Sequence, residues 1–92
     1  MLKPVFLTSF KKDYKLAVKR GCDPQKFEAV VALLCEEVPL PPKYRDHALT
    51  NSHNYKNVRE CHIEPDWLLI YRVQKDMLIL EMIRTGSHSD LF

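Results

Sequence analysis

Histidine is the side chain that gains and loses a proton near neutral pH, and this chain has four: His47, His53, His62 and His88. A lone histidine on a loop or strand is more often a surface or satisfied core residue than a catalyst, and His53, in "TNSHNYKN", reads that way. The other three have chemical company. His47 follows Asp46 after a proline-rich segment, His62 lies ahead of Asp66 in "HIEPDW", and His88 stands in "RTGSHSDLF" beyond Arg84 and Gly86. Acid, base and cation together suit RNA cleavage through the 2′-hydroxyl. One group takes the hydroxyl proton, a second protonates the departing 5′-oxygen, and a cation balances charge at phosphorus. Arginine fits the third task because its fork matches phosphate oxygens. Trp67, Tyr71 and Phe92 are the rings available to stack an unpaired base, an interaction of about 1–3 kcal/mol per base.

Several other chemistries are excluded. Only two glycines, Gly21 and Gly86, are present, so there is no glycine-rich phosphate loop. No serine sits in a recognisable nucleophile elbow. The histidines form no H-x-H or H-x-x-x-H pair, and Cys61 and His62, adjacent on a strand, point to opposite faces, so no metal site is expected. Cys22, Cys35 and Cys61 cannot all pair within one chain and lack the C-x-x-C spacing; reduced structural thiols are expected.

The elements must bring these residues together. "PVFLT" (residues 4–8) is short and β-prone, with Pro4 tolerable in an edge strand. Ser9 is a candidate N-cap for an amphipathic helix with Phe10, Tyr14, Ala17 and Val18 on one face and Lys11, Lys12, Lys15 and Lys19 on the other. Gly21 ends it. Asp23 and Pro24 then give an N-cap and a first-turn proline to a second helix with Phe27, Val30, Val31, Leu34 and Val38 in its stripe. So short a connection implies an antiparallel hairpin. "PLPPKY" (39–44) stops that helix, and "RDHALTNSHNYKN" (45–57) reads as a loop.

Strand character follows in "VRECHIE" (58–64), "WLLIYRV" (67–73) and "MLILEMIR" (77–84), joined by "PD" and "QKD". In the first, Arg59, Cys61 and Ile63 share one side and Val58, Glu60, His62 and Glu64 the other. Short turns make this an antiparallel meander, the sheet on which the hairpin packs. In a meander the end of the first strand, the turn at Asp66 and the end of the third strand are one locality. His62, Asp66, Trp67, Arg84 and the "SHSDLF" segment converge there.

At 92 residues, 46% hydrophobic, the chain fits one domain over residues 1–92. Its apolar runs, "WLLIY" and "MLIL" among them, fall far short of the ~20 residues of a membrane span, and no signal-peptide core is visible; a soluble cytosolic protein without membrane partners is expected. Net charge is +2 but unevenly spread: residues 1–20 carry six Lys/Arg against Asp13, and the remainder eight against eleven acids. A basic N-terminal face suits a polyanion or an acidic partner.

Three ordered stretches, "VPLPPKYRDHAL", "RECHIEPDWLLIYRV" and "RTGSHSDLF", resemble the RelE/ParE superfamily of bacterial toxins, in its YafQ-like branch of ribosome-dependent messenger-RNA endonucleases. The resemblance spans most of residues 10–92. It implies an α+β fold of the order β-α-α-β-β-β, with a two-helix hairpin on an antiparallel sheet and the first strand added at its edge. It implies cleavage of mRNA in the decoding site of the ribosome, with no cofactor bound by the protein itself. The partners implied are an acidic antitoxin encoded alongside, the ribosome and mRNA, with operator DNA reached only through the antitoxin complex.

The catalytic surface of the family falls on His47, His62, Asp66, Arg84 and His88, with Trp67, Phe92 and Glu60 at the substrate. His47 is the expected general base and His88 the general acid, roles that are exchangeable at this level. Asp66 is expected to support His62, and Arg84 to hold the scissile phosphate. Lys11, Lys12, Lys15 and Lys19 are assigned to ribosomal RNA or antitoxin contact. Glu60 stands where relatives often carry Asp, and His53 and Tyr55 have no clear counterpart. The superfamily also holds binding-only members, gyrase inhibitors and inactive nucleases. Relatives of the gyrase class generally lack the histidine set. A ribonuclease acting without the ribosome is a further alternative.

Overall fold

The computed structural model describes residues 1–49 and 57–92; His53 and Tyr55 lie outside them. A five-stranded sheet has the order β1-β5-β4-β3-β2, with β1 at Lys3–Phe6, β2 at His47–Ala48, β3 at Arg59–Glu64, β4 at Trp67–Gln74 and β5 at Ile79–Gly86. The helices are α1 (Thr8–Lys19), α2 (Pro24–Cys35) and the short α3 (His88–Leu91). The hairpin-on-sheet architecture is the one expected. Strands β2 to β5 pair antiparallel, but β1 pairs parallel to β5, so the sheet is mixed.

One face of the sheet carries the main core. Phe10 and Ala17 of α1 and Phe27, Val30 and Leu34 of α2 pack with Cys61, Leu69, Tyr71, Leu80 and Met82 of the strands. The aromatic contacts run through both helices, with ring centroids 5.4 Å apart for Phe10 and Phe27 and 4.9 Å for Tyr14 and Phe27. The opposite face holds a smaller apolar group, Val58, Ile70 and Ile83, partly covered by Leu49 and Leu91.

Helix ends follow local chemistry. Asp23 accepts from the Gln25 amide at 2.9 Å and caps α2 ahead of Pro24. Gly21, at φ +101°, supplies the left-handed residue after α1, with its amide on Val18 and that of Cys22 on Ala17. Glu37 does the same after α2 at φ +58°, with its amide on Leu34 and that of Val38 on Leu33. The second helix therefore closes at Cys35, and Val38, expected in its stripe, is exposed.

Ser9 is not the N-cap of α1. Leu7 occupies that position while its amide continues the β1 ladder onto Met82. The Ser9 hydroxyl instead donates to the Ile83 carbonyl at 2.7 Å, and Asp13 accepts from the Thr85 amide at 3.2 Å. Beyond the end of β1, side chains of α1 thus satisfy the exposed backbone edge of β5. The last strand begins at Ile79 rather than Met77, because Met77 and Leu78 form the turn, Leu78 at φ +54°. A β-bulge between His62 and Glu64 turns Glu64 toward α2, where it meets Lys26 at 3.0 Å.

Candidate active site

Strand pairing builds the site from the sequence upward. The two-residue strand β2, in a segment expected as loop, sets His47 directly opposite Glu60 of β3. Residues directly opposite in an antiparallel pair project to the same face, as do residues two apart on one strand. His47, Glu60 and His62 therefore share the face away from the helical hairpin. Cys61, between them, points into the core, where burial pushes its thiol up to about 12.

Glu60 is 4% exposed and its Oε1 lies 3.6 Å from His47 Nε2 and 3.4 Å from His62 Nε2. Both rings are turned by backbone carbonyls. His47 Nδ1 donates to Arg45 O at 2.7 Å and His62 Nδ1 to Pro65 O at 3.2 Å, since a carbonyl can only accept. Each ring consequently presents Nε2 to one shared carboxylate oxygen.

His88 completes the row from the far side. Ring centroids are 6.5 Å apart for His47 and His62, 5.8 Å for His62 and His88, and 5.9 Å for His88 and Phe92. Asp66, expected to support His62, serves His88: its Oδ1 accepts from the His88 amide at 3.2 Å and stands 4.0 Å from the ring Nδ1. Ser87 and Asp90 close α3 with a capping box, the Ser87 Oγ taking the Asp90 amide and Asp90 the Ser87 amide. Gly86, at φ +153°, admits that turn, since a Cβ there would come within 3.1 Å of the Asp90 side chain.

Arg84 lies beside this row, in a cleft of about 500 Å³ lined also by Asp13, Arg20, Asp66 and Asp90. Asp13 holds its guanidinium with two bonds, from Nε and from Nη2. Sequence reasoning missed Asp13 because it sits among the lysines of α1 and has no local partner.

Two expected stacking rings are not available. Trp67 is 2% exposed and donates from Nε1 to Thr85 Oγ1 at 2.9 Å. Tyr71 is buried, and its hydroxyl donates to Asp46 Oδ1 at 2.5 Å. Arg59 also binds Asp46, at 3.3 and 3.2 Å, so the residue before His47 is held from two strands. Glu60, expected at the substrate, is enclosed between histidines instead. Phe92 is 68% exposed and remains the ring open to a base. Among the described residues, no group of three or more His, Cys, Asp or Glu is placed to hold a metal ion.

A second surface lies between the helices. Phe6, Phe10, Tyr14, Phe27 and Val31 line an apolar groove of about 810 Å³ rimmed by Lys11 and Lys15. Lys12 and Lys19 are exposed on the same helix. No helix among the described residues is long and apolar enough to cross a membrane.

The mRNA interferase toxin YafQ of Escherichia coli (strain B / BL21-DE3) is 45% identical over 84 residues, covering 90% of this chain and 87% of that protein. Among solved structures, a metal-bound toxin from Helicobacter pylori superposes with a TM-score of 0.91 at 44% identity, over all of both chains. YafQ in the E. coli DinJ–YafQ complex superposes with a TM-score of 0.87 at 39% identity, over 100% of this chain and 99% of that one. The family described as bacterial toxin of type II toxin–antitoxin system, YafQ, matches residues 2–92. With its histidine row set on a RelE-like sheet, the chain belongs to the YafQ family of type II toxins.

Proposed function

We propose that this toxin is a metal-independent endoribonuclease that cuts messenger RNA on the ribosome through the 2′-hydroxyl and so stops translation. The observation that carries the reading is the row of His47, His62 and His88 on one face, with Phe92 beside it. His47 takes the hydroxyl proton and His88 protonates the leaving oxygen, or the reverse; either assignment needs two separately held rings. Arg84 meets the scissile phosphate and Phe92 stacks the base. Glu60 and Asp66 fix the rings. The naming of E. coli relatives as mRNA interferases supports this assignment.

The antitoxin partner is an acidic protein seated by the lysines of α1 and the adjoining groove, and operator DNA is reached only through that complex. The E. coli YafQ complex with DinJ supports such a partner. The toxin acts in the cytoplasm, where its ribosomal target is.

Induced expression of wild type and His88→Ala, with 5′-end mapping of cellular mRNA, tests the reading. In-frame cuts with codon periodicity that fall by roughly 10²–10⁴-fold in the variant are expected. Purified toxin stripped of bound metal should cut ribosome-bound mRNA in magnesium buffer as fast as untreated toxin, and leave naked RNA intact. Growth arrest without cuts, equal in both variants, would replace this with a binding-only function.

A further inference from the structure

The helix carrying His88 cannot hold itself in place. It has four residues, none buried, and helices of that length are not stable alone. Its backbone is fixed from two directions. Asp66, in the turn between β3 and β4, takes the His88 amide. From the other side, Arg20 at the end of α1 donates through Nη1 to Asp90 Oδ2 at 3.0 Å and Oδ1 at 3.3 Å.

Asp90 is the residue on which this second anchor turns. Its carboxylate also accepts the Ser87 amide at 3.0 Å, so one side chain closes the turn before His88 and ties it to α1. The Ser87 backbone and side chain, with Arg20, hold the Asp90 carboxyl below its ordinary range. Arg20 is set at the C-cap of α1, just before the glycine that reverses the chain. The same helix holds Arg84 through Asp13. Helix α1 therefore grips both flanks of the cleft beside the histidine row.

We infer that Arg20 is a positioning residue for His88, acting through Asp90. The inference rests on the reading of His88 as a proton carrier. An exposed ion pair adds little to global stability. Here its effect is local, on where the imidazole stands relative to His62 and the RNA.

The test is steady-state cleavage of ribosome-bound mRNA by Arg20→Ala, Arg20→Lys, Asp90→Asn, His88→Ala and the double variant Arg20→Ala/His88→Ala. Amide and imidazole NMR signals of residues 87–92 are followed alongside. Asparagine at 90 keeps an oxygen for the Ser87 amide and removes the charge. Arg20→Ala and Asp90→Asn should each lower kcat about tenfold, within the roughly 100-fold that a misplacement of about 1 Å can cost. KM and thermal midpoint should stay unchanged, the His88 signals should broaden or shift, and Arg20→Lys should recover most of the rate. The double variant should be no slower than His88→Ala alone.

Wild-type kcat in Arg20→Ala, with His88→Ala inactive, overturns the inference and leaves the nuclease reading standing. Loss in Arg20→Ala but not in Asp90→Asn also overturns it, since Arg20 would then act on RNA directly. Full cleavage by His88→Ala removes the nuclease assignment of His88 and the inference with it.

Discussion

Tyr71 joins core to site through one oxygen, lying in the main cluster with its hydroxyl on Asp46, the residue before His47. Burial, then Asp46, raises its phenol well above the ordinary range, so it donates throughout the physiological range. Tyr71→Phe should destabilise the fold by about 1–2 kcal/mol, lowering the thermal midpoint by roughly 4–8 °C per kcal/mol for a domain of this size. It should also slow cleavage, because the segment carrying His47 loses one of its two anchors. A midpoint drop with unchanged cleavage would detach Asp46 from the site. At this scale, residue types and spacing marked His47, His62, His88, Arg84 and Phe92 as candidates, and the three histidines and Phe92 stand in one row. They did not disclose which rings face solvent: Trp67 and Tyr71 sit on the most apolar strand with polar atoms satisfied from elsewhere, by Thr85 and Asp46. Asp13 and Arg20 were invisible for the converse reason, their partners lying 71 and 70 residues away.

Elements were legible where local chemistry decides them. Asp23-Pro24 and Gly21 marked helix boundaries because capping and left-handed geometry are local matters. The start of α1 was missed because Ser9 spends its hydroxyl on β5, a tertiary demand. The start of β5 was missed because "MLIL" is one apolar run with no breaker before Leu78 turns left-handed. Glu37 occupies a left-handed position usually given to glycine, and its ion pair with Lys75, at 3.6 Å, is exposed. Glu37→Gly should stabilise the protein by about 1 kcal/mol, since the left-handed conformation costs a non-glycine residue about 1–2 kcal/mol. Urea denaturation checks this, with a higher midpoint at unchanged slope. An unchanged midpoint would mean that the ion pair offsets the strain.

For the whole molecule, the hairpin-on-sheet arrangement followed from alternation and short turns. The parallel β1–β5 pairing did not, because register between distant strands leaves no local trace. Cys61 reports on the integrity of the fold. Its thiol, at about 12 against an ordinary 9.0, keeps its proton in the native state at a pH where the unfolded chain has lost it. The native state then binds more protons, so stability must fall as pH rises from about 9 toward 12, by at most about 1.4 kcal/mol per pH unit from this group. Urea melts at pH 8 and pH 10 should show a smaller decline for Cys61→Ala than for wild type. Equal declines would assign the slope to other groups. The pairing of β1 with β5 also bears on synthesis. The first strand to be made waits for the last of the sheet, and His88 follows that last strand. A ribosome partway through this message carries His47 and His62 before β5 and His88 exist. If the toxin cuts mRNA as proposed, the growing chain stays disarmed by its own order of manufacture until β5 and the helix that carries His88 have been built.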